Sequence, residues 1–66
     1  MFAERLKKEL ELNNITMYRL AKDLKLSKQT VSNWCSGINL PNAMQLIELC
    51  KYLDCTADYL LGLTDI

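Results

Sequence analysis

The 66-residue chain contains no histidine, only two glycines and a single proline. The commonest general base, and the usual partner of a serine or cysteine nucleophile, is therefore missing. No enzyme is expected, and no residue is assigned a catalytic role. The three cysteines cannot all pair within one chain, and none stands in C-x-x-C spacing. Without histidine they form neither a zinc set nor a disulfide scaffold, so no metal, cofactor or small-molecule ligand is expected. They read as small packing residues in a reduced, cytoplasmic setting. The longest apolar runs are three residues, as in Tyr59-Leu60-Leu61, so neither a membrane span nor a signal-peptide core is expected. Excess charge is missing too, because eight Lys/Arg balance eight Asp/Glu.

What remains is a globular composition, 50% hydrophobic and 24% charged, sized for one domain over 1–66. The charge is unevenly placed. Residues 1–12 are neutral. Residues 13–37 carry Arg19, Lys22, Lys25 and Lys28 against Asp23 alone, a net +3, and residues 38–66 carry Lys51 against Glu48, Asp54, Asp58 and Asp65, a net −3. The positive part of this dipole is the middle of the chain.

Apolar spacing reads as short helices throughout, with no alternating run long enough for a strand. Phe2, Leu6 and Leu10 give a first helix one apolar stripe, and Asn13-Asn14 tolerate the left-handed backbone that ends it. Thr16, Ser27, Asn42 and Thr56 each cap a later helix. Ile15/Leu20, Leu26/Val31 and Cys55/Leu60 supply the hydrophobic staples, and Gln45 can reach back to the Asn42 backbone. Gly37 and Gly62 close the third and fifth helices, and Pro41 keeps the segment before Asn42 out of a helix. The pattern predicts helices over 2–12, 16–24, 27–36, 43–53 and 57–62, an all-α five-helix bundle.

Helices 16–24 and 27–36 are separated by Lys25 and Leu26 alone, a link suited to a sharp helix-turn-helix crossing over about 16–36. Leu20, Ala21 and Leu24 form one inner face, and Leu26, Val31 and Trp34 oppose it. Trp34 offers a stacking surface for bases, but its spacing from Val31 marks it as core. With Val31 and Trp34 turned inward, Lys28, Gln29, Ser32 and Asn33 project outward near the helix start. On an arbitrary helix such residues are plain solvated surface. They are also the groups that read base edges: lysine donates to guanine, glutamine and asparagine pair with adenine, and serine serves either way.

The stretch from Ile15 to Gly37 resembles the Xre/Cro, lambda-repressor-like helix-turn-helix DNA-binding proteins, with Leu20-Ala21, Leu26-Ser27, Val31-Ser32, Trp34 and Gly37 at the characteristic positions. Pro41, the helix from Leu46 to Leu53 and the segment Thr56 to Leu61 extend the match over almost the whole chain. The loop after Gly37, often basic in the family, is Ile38-Asn39-Leu40, and three single positions also depart from the pattern. Lys25 stands where the turn usually has glycine, which implies a left-handed lysine at a cost of roughly 1 kcal/mol. Met17 replaces a common glutamine, and Cys35 replaces a common acid.

The resemblance implies a cytoplasmic, sequence-specific transcriptional regulator, repressor-like, that places helix 27–36 in the major groove of double-stranded DNA. Lys28, Gln29, Ser32 and Asn33 would touch bases. Thr16, Met17, Ser27, Thr30 and Ser36 would lie beside phosphates, and Arg19, Lys22 and Lys25 would add sequence-independent attraction. One such module buries roughly 600–1,000 Å² on DNA, so a homodimer on a pseudo-palindromic operator is expected. Leu61, Leu63 and Ile66 are the apolar residues available to join two copies. A protein-interaction module of antitoxin or antirepressor type on the same fold is the alternative, favoured by the zero net charge and the acidic last third.

Overall fold

The computed structural model describes residues 1–65, so Ile66 lies outside the described residues. Five helices follow one another: α1 (Phe2–Leu12), α2 (Met17–Asp23), α3 (Lys28–Ser36), α4 (Ala43–Leu53) and α5 (Ala57–Leu60). Among the described residues there is no strand.

Each of the four later helices begins on the side chain that the sequence marks. Thr16 Oγ1 accepts from the Arg19 amide at 3.0 Å, Ser27 Oγ from Thr30 at 3.1 Å and Thr56 Oγ1 from Tyr59 at 3.1 Å. Asn42 and Gln45 complete a reciprocal capping box, at 2.8 and 2.9 Å. These bonds satisfy amides that a helix start otherwise leaves open. Thr16 and Ser27 stand just outside α2 and α3 in extended backbone, which is why those helices begin one residue later than the spacing predicts.

All five helices end by one device. A residue with positive φ follows the helix, and the next amide reaches back five residues to a helix carbonyl. The bonds are Ile15 to Leu10 at 2.8 Å, Leu26 to Ala21 at 2.8 Å, Ile38 to Asn33 at 3.0 Å, Cys55 to Cys50 at 3.1 Å and Leu63 to Asp58 at 2.8 Å. Glycine takes the left-handed position in two of these turns, at Gly37 and Gly62. Asn14, Lys25 and Asp54 take it in the others, with φ of 55°, 58° and 54°. Those three turns each have an apolar, half-buried residue after the strained one, Ile15, Leu26 and Cys55, packed against the core. Burial there offsets a backbone cost of about 1 kcal/mol. After the glycines the corresponding residues, Ile38 and Leu63, stay exposed.

The core takes Phe2, Leu6 and Leu10 from α1, Leu20 and Ala21 from α2, Val31, Trp34 and Cys35 from α3, Leu49 and Leu53 from α4, and Leu60 from α5. Trp34 is 2% exposed, so it is a packing residue and not a stacking surface. Its burial, with that of Val31, fixes which side of α3 faces water.

Candidate nucleic-acid interface

With Val31, Trp34 and Cys35 buried, the opposite side of α3 is a polar ridge. Lys28, Gln29, Ser32 and Ser36 are exposed, while Thr30 and Asn33 are half-buried. Asn33 is less open than its outward placement predicts, because the chain after α3 folds back over it. The Ile38 and Asn39 amides both donate to its carbonyl, at 3.0 and 3.4 Å.

Gln29 Nε2 donates to Asn33 Oδ1 at 2.8 Å, so the two amides stand as one unit along the ridge. That bond uses one donor of Gln29 and one acceptor site of Asn33, leaving Gln29 Oε1 to accept and Asn33 Nδ2 to donate. An acceptor beside a donor is the pattern that complements the major-groove edge of adenine. Lys28 Nζ lies 5.6 Å from the centroid of the Tyr18 ring, which steers its charge toward the start of α2.

Two recesses flank the ridge. One, of about 290 Å³, is lined by Met17, Tyr18, Lys28, Gln29 and Ser32. The other, of about 200 Å³, is lined by Thr30, Asn33, Trp34, Asn39, Leu40 and Gln45. Tyr18, Asn39 and Gln45 are therefore polar neighbours of the ridge that the sequence pattern does not assign to the interface. Tyr18 carries the clearest signal, an aromatic that no apolar stripe claims, and it is 60% exposed.

Three of the hydroxyls are already engaged. Ser27 Oγ and Thr30 Oγ1 hydrogen-bond at 2.8 Å, and Ser36 Oγ donates to the Ser32 carbonyl at 2.9 Å. Thr16 and Met17 are exposed at the start of α2. Two of the other cations have acidic neighbours. Arg19 Nε stands 3.4 Å from Asp23 Oδ2, and Lys25 shares a recess with Asp23, Glu48, Lys51 and Tyr52. The hydrogen bond from Tyr52 holds the Asp23 carboxyl below the usual carboxylate range. Partial burial opposes that shift, and the charges of Arg19 and Lys22 add to it. Of the four cations between residues 13 and 37, Lys28 stands on the ridge, while Arg19 and Lys25 have acidic neighbours at Asp23 and Glu48.

Leu61 and Leu63 are 40% and 74% exposed. The tail that carries them is held against α1 by Arg5, whose Nη1 donates to the carbonyls of Tyr59, at 3.0 Å, and Thr64. The same guanidinium lies 4.7 Å from the centroid of the Tyr59 ring, and its Nη2 stands 3.5 Å from Asp65 Oδ1. Among the described residues no group of His, Cys, Asp and Glu is arranged to hold a metal ion, and no helix is long and apolar enough to cross a membrane.

The helix-turn-helix family matches residues 6–60 of this chain. A curated relative, an uncharacterized HTH-type transcriptional regulator, YobD, of Bacillus subtilis (strain 168), is 29% identical over 65 residues. That alignment covers 98% of this chain and 58% of the relative, so the chain spans less than two thirds of the length of the protein it resembles. No solved structure matches the chain.

Proposed function

Because the chain belongs to the helix-turn-helix family, we propose that it is a sequence-specific DNA-binding module of a transcriptional regulator, repressor-like, that reads the major groove with α3. The observation that carries this reading is the Gln29–Asn33 amide pair, displayed beside Lys28 on the side of α3 opposite Val31 and Trp34. In this reading Lys28, Gln29, Ser32 and Asn33 meet base edges. Thr16, Met17, Ser27, Thr30 and Ser36 meet phosphates, and Arg19, Lys22 and Lys25 act at longer range, reduced by Asp23. Two copies joined through Leu61 and Leu63 place two ridges on a two-fold symmetric operator, with half-sites about one helical turn apart.

One observation favours a second reading. Ile38, Leu40, Met44 and Ile47 are 70%, 66%, 68% and 49% exposed, along the loop after α3 and on α4. An apolar surface of this kind beside the ridge suits a protein partner on the same fold.

Selection from randomised duplexes at near-physiological salt, run beside Gln29→Ala/Asn33→Ala, separates the two. A two-fold symmetric motif that the double variant loses supports the DNA reader, with affinity falling by a log-log slope of about −0.9 per phosphate neutralised. Recovery of no motif transfers the function to the apolar surface after residue 37.

A further inference from the structure

The turn that ends α4 differs from the other strained turns in what closes it. Leu10 and Ile15 occupy the two ends of the turn after α1, Ala21 and Leu26 those after α2, and here both ends are cysteines, Cys50 and Cys55. The Cys55 amide donates to the Cys50 carbonyl at 3.1 Å, and Asp54 holds the bend with φ of 54°. Both are free, half-buried cysteines packed against the core from the two ends of the same turn, the placement in which the side chains that flank such a helix end commonly meet. Packing alone asks only for apolar side chains, as the turns after α1 and α2 show. Cys55 also forms part of the wall of an open recess of about 410 Å³, lined by Lys8, Glu9, Leu12, Asp54, Thr56 and Tyr59, which gives a small reagent access.

We propose that Cys50 and Cys55 form a reversible disulfide by exchange with a low-molecular-weight disulfide, a covalent bond across the α4–α5 turn. In the first step one cysteine, as thiolate, attacks the reagent, breaking its S–S bond, releasing one thiolate and leaving a mixed disulfide on the protein. In the second, the other cysteine attacks the protein-bound sulfur, forms the Cys50–Cys55 bond and expels the second thiolate. The two cysteines lose two protons and two electrons in all, and the reagent leaves as two thiols.

The turn holds the two residues together, amide to carbonyl at 3.1 Å, which makes the second step intramolecular. The first step is slow near neutrality, because burial pushes both thiols up, Cys55 to about 11, helped there by the nearby charges of Cys50, Glu9 and Asp54. Cys35, buried in the core, is also pushed up by burial and lies outside this turn. The disulfide therefore forms between one defined pair.

The test incubates the native chain with oxidised glutathione and follows intact mass, peptide maps and far-ultraviolet circular dichroism. The expected result is a loss of about 2 Da, a Cys50–Cys55 cross-linked peptide, retained helicity and full reversal by dithiothreitol. Cys35→Ser behaves like the parent, and Cys50→Ser or Cys55→Ser instead accumulates one glutathione adduct. Three results overturn the proposal: both thiols still free at equilibrium in the helical chain, a bond that includes Cys35, or a bond that joins two chains. If a variant fails to fold, the peptide map of the parent chain decides alone.

Discussion

The Tyr52 hydroxyl donates a hydrogen bond to the Asp23 carboxylate, joining α4 to the last residue of α2 across 29 positions of sequence. Arg19 approaches the same carboxylate from within α2. The helix-turn-helix is thus tied to the second half of the chain by a polar contact at its edge as well as by the core.

This contact makes stability depend on pH in a defined way. The hydrogen bond lowers the Asp23 value and raises that of Tyr52. A carboxyl held down stabilises the fold above its ordinary value of about 3.9, and the effect vanishes as pH falls through the lowered value. A phenol pushed up stabilises the fold below its ordinary value of about 10, and the effect vanishes as pH rises through the raised value. Tyr52→Phe should melt at lower temperature than the parent between these limits and converge with it beyond them. Equal displacement at every pH in a thermal-melt series would assign Tyr52 to packing alone.

Gln29 and Asn33 should not act independently. Each single alanine substitution is expected to relax preference at one base pair by about 1–3 kcal/mol while leaving the fold intact. Because the two amides are bonded at 2.8 Å, the double variant should depart from additivity by about 0.5–3 kcal/mol. Binding titrations on matched and single-mismatch duplexes measure both. Equal loss on all sequences would remove the base-reading role.

Val31→Ala tests the opposite side of the same helix. Val31 is fully buried, so its truncation should cost about 1–3 kcal/mol in urea unfolding. The fraction that stays folded should keep its sequence preference. A change of preference without loss of stability would mean that α3 is turned differently from the arrangement described.

Lys25 and Gly37 make a reciprocal pair of backbone tests. Lys25→Gly relieves a left-handed lysine and should gain roughly 0.5–1 kcal/mol. Gly37→Ala should lose about 1 kcal/mol, although no atom lies within 4 Å of the added carbon, because its φ is +81°. Calorimetry that finds either substitution neutral would contradict the strain assigned to these turns.

Local devices made most of the fold legible in the sequence. Thr16, Ser27, Asn42 and Thr56 act on amides three residues away, so their spacing alone announces them. The buried face of α3 was equally readable, because Val31 and Trp34 obey helical periodicity. The same periodicity places Asn33 outward, and nothing in it shows the chain after Gly37 folding back to donate to its carbonyl. The Lys28–Tyr18 stack and the Tyr52–Asp23 bond depend on how helices cross, which no spacing encodes. Charge alone places Arg19 and Lys25 beside the interface, and spacing does not show the acidic neighbours that each has in the fold, Asp23 for Arg19 and Asp23 and Glu48 around the recess of Lys25.

Arg5 reaches partners 54 to 60 positions along the chain, the widest separation of any side-chain hydrogen bond among the described residues. The turn between α2 and α3 closes over a few residues, so it can order before ends so far apart meet. The Arg5 clasp is then expected to close late on the folding route, after the transition state. Its loss should leave the refolding rate unchanged and speed unfolding roughly tenfold, an asymmetry that stopped-flow measurements on Arg5→Ala would read directly. The protein's lifetime against unfolding should then depend on a side chain that does not set how fast it folds.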